Sequence, residues 1–340
     1  MRSNIKALLA AAGVAAFAFS PANAYEDQSW KTKPGSFIGA SAGVPPPGVY
    51  MFNQIFTYQS NFAGPGVNNL FGGTKVAVQA AVDVQGFIFV PGWTFLGATY
   101  DALIVQPFVM DALGELACHP GCGPVSGVFN TYFVPVELSW TKIGGSNFGV
   151  KVGLPFYAPT GTIQGPTGTL NQGRPYWTFQ PELLLSYLGN GWNLTAALYE
   201  EFNTANTRTN YTTGDIFHAD FTATYTIGKW TFGPVGYYVA QVTDDKCPIG
   251  VCTAFNPAGI LTHTQRFQLF AVGGLIEYNF GPASLSLWAT QEVYAKASGA
   301  INPLNGEDIS LITRGMTVFG TLSYALWNPP KPSATPMIHK

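Results

Sequence analysis

The connections between the alternating-hydrophobicity segments of this sequence switch regularly between long and short. Twelve such segments follow one another, joined by six long links and five short ones. This rhythm is typical of single-chain outer-membrane barrels, which have an even number of strands, short turns at one end and long loops at the other. The sequence therefore predicts an all-β fold, a transmembrane antiparallel up-and-down β-barrel of about 12 strands of the outer-membrane type, over residues 49–327.

The N-terminus has the features of an export signal. Arg2 and Lys6 supply positive charge, an apolar core follows, and Ala22-Asn23-Ala24 forms a small-residue cleavage site. These features predict a signal peptide at residues 1–24, cleaved before Tyr25. Its apolar core is too short to cross a bilayer as a helix.

Two segments flank the predicted barrel. Residues 25–48 are rich in glycine and proline, and we expect them to form an irregular periplasmic lead-in. The Pro-rich residues 328–340 are expected to be a disordered tail. The domain organisation is therefore a signal peptide, a lead-in, a barrel and a tail.

Composition favours a barrel over a soluble fold. Only 10% of the residues are charged, against about 25% in ordinary soluble domains. A soluble β-sandwich also alternates, but it does not need apolar faces this long, nor loops sorted by length. The net charge of -2 gives no basic surface for nucleic acid.

Polar positions within the strands predict the lining of the lumen. In residues 74–89, valines at every second position alternate with polar side chains, which is the period of a strand. Placing polar faces inward in every strand predicts a pore lining of Lys75, Gln79, Asp83, Glu137, Lys151, Gln180, Glu182, Tyr199, Glu201, His218, Asp220, Gln241, Glu292 and Lys296. Acids and bases mix in this set, so we expect weak ion selectivity. Alternatively, these side chains pair across a narrow lumen and plug it.

Two features predict irregularities in the barrel wall. The polar positions of the strand at 265–280 change parity, which a bulge at Gly273-Gly274 would reconcile. Prolines fall inside several strands, where each removes a ladder donor: Pro107, Pro135, Pro155, Pro181 and Pro234. One hypothesis is that a proline kink opens a lateral gap through which an apolar solute leaves into the membrane. The alternative is a set of bulges without function.

The four cysteines form two tight pairs, Cys118 with Cys122 and Cys247 with Cys252. In an oxidising compartment we expect two local disulfides that restrain the long loops. A cross-bridge between the two loops is the alternative pairing. A metal site at Cys118-His119-Cys122 is a weaker alternative, and no metal or cofactor is otherwise expected.

The sequence gives little support to catalysis. His218 and Asp220 lie two residues apart, so they share one face of a strand. With a serine from a neighbouring strand, this pair could form the triad of an outer-membrane hydrolase. No Gly-rich phosphate loop ending in Lys-Ser/Thr occurs, so we expect a protein that is not an enzyme and does not hydrolyse nucleotides.

A series of short motifs resembles one known family. The series runs through Pro159-Thr160-Gly161, Asn171-Gln172-Gly173, Tyr176-Trp177-Thr178-Phe179-Gln180-Pro181, Glu201-Phe202-Asn203, Asn206, Thr209, Tyr211, Gly214-Asp215, Gly236-Tyr237-Tyr238 and Gln241-Val242-Thr243-Asp244-Asp245. Upstream, Leu96-Gly97-Ala98-Thr99-Tyr100 and Pro107-Phe108 also fit. Together they resemble the outer-membrane family named for the meta-pathway of phenol degradation, over about residues 75–327. Two departures are Phe129-Asn130, where the family usually has Gly-Asp, and the thirteen residues after Trp327.

The resemblance implies an outer-membrane channel for passive uptake of small hydrophobic or aromatic compounds. Its expected partners are outer-membrane lipid, the solute and, during biogenesis, the barrel-assembly machinery. Twelve strands fall between filled eight-stranded barrels and open sixteen-stranded porins, so we expect a narrow lumen. The alternatives are a structural or adhesion barrel with a plugged lumen and, more remotely, the hydrolase.

Overall fold

A computed structural model describes residues 31–114, 126–165, 172–246, 266–301 and 305–330. It contains twelve principal strands: β1 Gly48–Ala63, β2 Ala77–Val90, β3 Ala98–Gly114, β4 Gly127–Val128 with Thr131–Trp140, β5 Phe148–Gly153 with Phe156–Ala158, β6 Thr178–Phe179 with Glu182–Gly189, β7 Trp192–Asn203, β8 Ile216–Ile227, β9 Trp230–Gln241, β10 Arg266–Asn279, β11 Ala283–Ser298 and β12 Ile312–Trp327. A two-residue strand, Thr94–Phe95, precedes β3; a short helix spans Gly66–Phe71; and a 3-10 turn spans Ile143–Gly145. Among the described residues, no helix is both long enough and apolar enough to span a membrane.

The sheet closes on itself. Each strand pairs antiparallel with the next, and β12 pairs with β1 from Val49↔Trp327 to Ala63↔Ile312. A closed sheet leaves no backbone edge unpaired, which a wall in contact with hydrocarbon requires. The prediction of a twelve-stranded antiparallel barrel is confirmed.

Several sequence predictions concern residues outside the described part of the chain. The signal peptide and most of the Pro-rich tail are among them. So are all four cysteines of the two predicted disulfides, namely Cys118, Cys122, Cys247 and Cys252. The two local disulfides, and the cross-bridge between the loops as the alternative pairing, therefore stay predictions.

Exposed aromatic side chains mark the level of the membrane boundary at the short-turn end. Trp93, Phe148, Trp192, Trp230 and Trp327 are all exposed there. Along β7, Trp192 is followed ten residues later by Phe202, which is exposed near the long-loop end. A strand that rises ~3.3 Å per residue with a tilt near ~40° climbs ~25 Å over ten residues. The two aromatic levels therefore bound an apolar band of the usual height.

Three adjacent strands break at prolines that lie at one level. Strand pairing is interrupted at Pro135 in β4, at Pro155 in β5 and at Pro181 in β6. Single backbone bonds bridge these breaks: Leu154 N–H donates to the Val136 carbonyl at 3.2 Å, and further bridging bonds run from Gln180 N to Pro155 O and from Glu200 N to Pro181 O. The wall is kinked at these three prolines but stays hydrogen-bonded. The pairing of β8 with β9 is also interrupted at Pro234, so the lateral gap stays a hypothesis.

The bulge predicted at Gly273-Gly274 is not there. In β10 the residues Phe267, Leu269, Ala271 and Leu275 all face inward, so its inward parity never changes. The register shift lies opposite, in β11, where Val293 is the extra residue. Arg266 and Gln268 face outward by the same parity, and polar side chains are tolerated there because they lie at the long-loop end, above the apolar band.

The two adjacent glycines of β10 meet different surroundings. A Cβ on Gly273 would lie 1.8 Å from the Ala289 carbonyl oxygen, whereas the nearest atom to a Cβ on Gly274 is 4.0 Å away. Strand β11 can approach β10 this closely only because residue 273 has no side chain.

We predict that Gly273→Ala destabilises the folded barrel by about 1–3 kcal/mol, the usual cost of overpacking. Gly274→Ala, the matched control, should leave stability within about 0.5 kcal/mol of the wild type. Urea titration of folding into lipid vesicles, followed by heat-modifiable gel mobility, measures both. Equal stabilities of the two variants would contradict the close approach at Gly273.

Candidate functional site

The chain from residue 31 to residue 47, here called the N-terminal segment, runs inside the barrel. Gly35 N–H donates to Asp220 on β8, Gln54 on β1 donates to the Ser36 carbonyl, and Lys33 pairs with Glu292 on β11. Since β1 and β8 lie on nearly opposite sides of the ring, the segment crosses the lumen. The predicted lead-in is irregular in conformation, as expected. Its predicted periplasmic location is wrong for residues 31–44, whereas Pro45, Pro46 and Pro47 are exposed at the short-turn end.

The segment climbs through most of the height of the barrel. Near the short-turn end, Ala42 N–H donates to Ser186 Oγ at 2.9 Å. Near the long-loop end, Lys31 N–H donates to Glu201 at 2.9 Å. The lumen is therefore occupied by the chain itself along most of the membrane depth.

Two buried carboxylates hold the backbone of the segment. Asp220 accepts hydrogen bonds from Gly35 N–H at 2.9 Å and Phe37 N–H at 3.0 Å. Glu201 accepts from Lys31 N–H at 2.9 Å and Thr32 N–H at 3.1 Å. Hydrogen bonds to an ionised acceptor are roughly twice as strong as neutral ones, so these four N–H groups fix the course of the segment.

A third buried carboxylate forms an ion pair with a side chain of the segment. Lys33 Nζ lies 3.2 Å from Glu292 Oε1 and 4.0 Å from the centre of the Tyr58 ring. The same carboxylate accepts hydrogen bonds from Tyr237 OH at 2.6 Å, Tyr58 OH at 2.8 Å and Gly315 N–H at 2.6 Å. The charge of Glu292 is therefore shared among donors from the wall and from the segment.

An aromatic layer crosses the lumen at the level of Phe37. The Phe37 ring stacks on Tyr199 with centroids 4.9 Å apart, and Tyr199 stacks on His218 at 4.6 Å. On the other side, Phe37 lies 6.1 Å from Tyr132, which packs against Tyr157 at 4.7 Å. These five rings are called the aromatic layer below, and the segment contributes its central ring.

The opposite wall of the lumen is apolar. Ile38 of the segment belongs to a buried cluster with Phe56 and Val82 from β1 and β2 and with Trp288 and Phe319 from β11 and β12. At the level of Phe37 and Ile38, the lumen therefore has a polar and aromatic side along β4–β8 and an apolar side along β1, β2, β11 and β12. Closer to the long-loop end, Glu292 of β11 and Tyr58 of β1 form a polar group on the same wall.

Ten residues of the predicted pore lining point into the lumen. They are Glu137, Lys151, Gln180, Glu182, Tyr199, Glu201, His218, Asp220, Gln241 and Glu292. All ten are buried, and several contact the N-terminal segment. Contact of these residues with a solute stays a prediction.

The other four residues face outward, so their predicted direction is wrong. On β2, Asp83 pairs with the outward Ile55, while Val82 pairs with the inward Phe56. Gln79 has the same parity as Asp83, and Lys75 lies before the start of β2 and is exposed. The rule that polar residues face inward fails on β2, because the lumen wall is apolar there. Lys296 faces outward because the bulge in β11 reverses the parity after Glu292.

A second ionic group lies on the polar wall, near the short-turn end. Lys151 Nζ lies 3.1 Å from both Asp101 Oδ2 and Glu137 Oε2. Glu182 is adjacent, since Gly153 pairs with both Glu137 and Glu182. Paired side chains across neighbouring strands support the expectation that part of the polar set has a structural role.

His218 and Asp220 do not form a catalytic arrangement among the described residues. Asp220 binds the backbone of the segment, and His218 Nε2 lies 2.6 Å from Gln180 Nε2. In the described residues, His218 Nδ1 has no hydrogen-bond partner, and no group of His, Cys, Asp and Glu is placed to hold a metal ion.

The alternative metal site at Cys118-His119-Cys122 lies outside the described residues. The same holds for the second pair, Cys247 and Cys252. The predicted disulfides and the metal alternative therefore both stay predictions.

Motif residues that carry the family resemblance gather at the long-loop end. Asn130 Oδ1 accepts from Arg174 N–H at 3.0 Å and Gly161 N–H at 3.3 Å, which joins two loop segments. Gly161 and Gly173 are in backbone contact, since a Cβ on Gly161 would lie 2.7 Å from Gly173 Cα. Asn130 thus supplies a loop contact at the position where the family pattern has aspartate. Pro159 and Thr160 precede Gly161, and Asn171 lies outside the described residues.

A second loop cluster centres on Asp245. This carboxylate accepts hydrogen bonds from Tyr211 OH at 2.7 Å, Gly214 N–H at 2.8 Å and Gln241 Nε2 at 2.8 Å. Burial raises the pKa of Asp245 to about 6, although these three bonds act in the opposite direction. Asp245 therefore joins β9 to the loop before β8.

The remaining motif residues serve the same loops. Asn203 accepts from Thr178 at 2.6 Å, Asn206 N–H donates to the Tyr211 carbonyl, and Asp215 N–H donates to Thr243 at 2.7 Å. Asp244 pairs with Arg266 at 2.6 Å. Most of these motif residues therefore belong to the long loops, whereas Gln180, Glu201 and Tyr237 of the same series line the lumen.

Sequence reasoning missed the contribution of the N-terminal segment. The sequence does contain a sign of this contribution, because the predicted lining has more acids than bases. It contains six acids but only three lysines. Buried carboxylates need donors, and the lead-in offers Lys31, Lys33 and a run of backbone N–H groups. Tyr58, Tyr132 and Tyr157 were also missed, because tyrosine fits a lipid-facing or an inward position equally well.

We predict that Asp220→Ala releases the N-terminal segment, because Gly35 and Phe37 lose their shared acceptor. Single-channel current of the purified protein in planar bilayers should show longer or more frequent openings than the wild type. Thr224→Ala, on the same strand and face, is the control and should behave as the wild type. Identical currents for Asp220→Ala and the wild type would argue against a clamp.

We also predict that the Asp245 cluster is more stable in acid. The folded-state pKa lies above the ordinary value of 3.8, so its stabilising contribution is complete below about pH 4 and is lost as pH rises through about 6. Protection of the Gly214 amide from hydrogen exchange, corrected for intrinsic rates, should fall by about ten- to a hundredfold between pH 4 and pH 7.5. Asp245→Asn should remove this dependence; a protection that rises with pH would contradict it.

Comparison with known proteins supports the barrel fold. The outer membrane channel from Pseudomonas putida F1 shares the fold, with a TM-score of 0.63 and 12% identity, over 87% of this chain and 100% of that chain. The toluene transporter TodX from Pseudomonas putida gives a TM-score of 0.37 and 10% identity, over 86% of this chain and 92% of that chain. No curated protein matches the sequence. A family model described as putative MetA-pathway of phenol degradation matches residues 49–300. Because this match covers most of the chain and confirms the resemblance in the motifs, the chain belongs to that family.

Proposed function

We propose that the protein is an outer-membrane channel for the passive uptake of small hydrophobic or aromatic compounds. The observation that carries the proposal is the position of Phe37. Its ring lies in the aromatic layer between Tyr199 and Tyr132, where a ring-shaped solute would meet the same faces. The N-terminal segment then occupies the solute site in the closed state.

The energies of the contacts make such an exchange feasible. An aromatic pair contributes about 0.5–1.5 kcal/mol beyond the burial of its area, and a solute ring can replace this term in full. The backbone bonds to Asp220 and Glu201 are individually stronger, but water entering a widened lumen can replace them. A solute therefore competes with Phe37, while water competes for the carboxylates.

Several further features belong to the same proposal. The protein resides in the bacterial outer membrane after cleavage of a signal peptide, in contact with lipid, and is inserted by the barrel-assembly machinery. Membership of a family described by phenol degradation supports an aromatic solute. Transport is passive, and two local disulfides, Cys118 to Cys122 and Cys247 to Cys252, restrain the long loops.

A second candidate, a structural or adhesion barrel, is favoured by one specific observation: the lumen is already occupied. A structural barrel predicts an envelope defect on deletion without a change in solute permeability. A channel predicts a permeability that is lost on deletion. The remote hydrolase alternative predicts turnover that is lost in His218→Ala.

We expect Phe37→Ala to bind phenol about three- to tenfold more tightly than the wild type, because the competing ring is absent. Phe37→Tyr, which keeps the ring, should match the wild type. Isothermal titration of the folded protein in detergent measures both affinities, and planar-bilayer currents with and without phenol report on opening.

Cyclohexanol is the matched solute control, since it has similar size but no aromatic face. An equal change for phenol and cyclohexanol would show that the aromatic layer does not select rings. No change for either solute would contradict the assignment of Phe37 to the solute site.

A further inference from the structure

A hydrogen-bonded polar cluster lies on the outer face of the barrel wall. Asn53 Nδ2 donates to Asp83 Oδ1 at 2.6 Å, and Gln85 Nε2 donates to Asp83 Oδ2 at 3.3 Å. Asn53 and Gln85 are directly paired across β1 and β2. Their strand neighbours Gln54 and Val84 face the lumen, so these three side chains face outward. We call them the outward polar cluster.

The cluster lies at a depth where the outer wall of the described strands carries no other charge. Gln106 on β3 pairs directly with Gln85 and is also polar, but its amide already donates to the Pro107 and Phe129 carbonyls of the wall. Asp83 is six residues above Phe89, an exposed aromatic near the short-turn end, which places it ~15 Å into an apolar band of ~25 Å. The other outward-facing charged residues of the described strands all lie within three residues of a long-loop end: Asp111, Glu200, Arg266, Lys296 and Arg314.

Contact with lipid hydrocarbon is unfavourable for this cluster, because lipid tails offer no hydrogen-bond partners. A carboxylate has about four acceptor sites, and within the described residues Asp83 uses one bond to each oxygen. The second N–H of each amide is also available. Polar groups without partners cost free energy in lipid, and charged side chains on a lipid face destabilise barrels most near the midplane.

We propose that a second copy of this chain covers the outward polar cluster in the membrane. The cluster is self-complementary, since Asn53 and Gln85 supply donors while Asp83 supplies acceptors. A two-fold interface places each patch against its own copy, so the amides of one protomer can bind the carboxylate of the other. Within the apolar band the available neighbours are lipid tails and membrane proteins, and only the latter supply such donors.

The surroundings of the cluster suit a protein contact. Ile55 is 49% exposed, Val318 is 41% exposed and Leu322 is 42% exposed, and they surround the cluster with apolar area. The small outward residues Ala81 and Gly320 allow a second wall to approach closely. A second barrel wall packed on this surface can hydrogen-bond to the polar centre, while the apolar residues around it keep lipid out of the contact.

The test is cysteine cross-linking in intact outer membranes. Ala81→Cys lies beside Asp83, and the control Ala223→Cys faces outward on β8, on a distant part of the ring. Oxidation should convert Ala81→Cys to a reducible dimer of twice the chain mass, at least about tenfold more than Ala223→Cys. The wild type, treated in parallel, accounts for its native cysteines.

A second variant tests whether the polar cluster causes the contact. Asp83→Leu in the Ala81→Cys background should reduce the dimer about tenfold while heat-modifiable gel mobility shows a folded barrel. Cross-linking no greater than the Ala223→Cys control would overturn the proposal and assign the cluster to lipid. A cross-linked species of any other mass would also overturn it, as would a dimer that Asp83→Leu leaves unchanged.

Discussion

The interaction on which the rest of the structure depends is the binding of the N-terminal segment by buried carboxylates. A closed twelve-stranded sheet encloses more space than its own side chains fill, and three of the acids that project into that space bind the segment. Asp220, Glu201 and Glu292 would be costly there without donors. The segment supplies backbone N–H groups and Lys33, and it fills the lumen at the same time. The same segment therefore supplies hydrogen-bond donors to the buried acids and closes the channel.

The two sides of the lumen bind the segment in different ways. On the apolar side, Ile38 packs against Phe56, Val82 and Phe319, which orders the segment without fixing its register. On the polar side, directional bonds fix the register and bring Phe37 into the aromatic layer. The stacking of Phe37 is weaker than the carboxylate hydrogen bonds. Phe37 is also an aromatic ring, like the proposed solute. A solute that competes for the weaker contact can loosen the segment without opposing every carboxylate bond at once.

Sequence alone predicted the strand count, the closure and the positions of the turns, because period-two alternation and loop length are local signals. It failed where the orientation of a side chain depends on what fills the lumen. The rule that polar residues line a barrel predicts an inward Asp83, yet the segment presents Ile38 to that wall. Lys296 was misplaced because one inserted residue, Val293, reverses every later position. The path of residues 31–47 could not be derived, since irregular chain has no periodicity and its partners lie up to 259 positions away.

The most direct test of a displaceable segment is to lock it in place. Ala42 N–H lies 2.9 Å from Ser186 Oγ, so an Ala42→Cys/Ser186→Cys disulfide would fix the segment to β6 near the short-turn end. Uptake of phenol into vesicles containing the double variant should be lost when the protein is oxidised and restored on reduction, while each single variant behaves as the wild type in both states. Uptake that is unchanged in the oxidised double variant would contradict the account, because solute would then pass without movement of the segment.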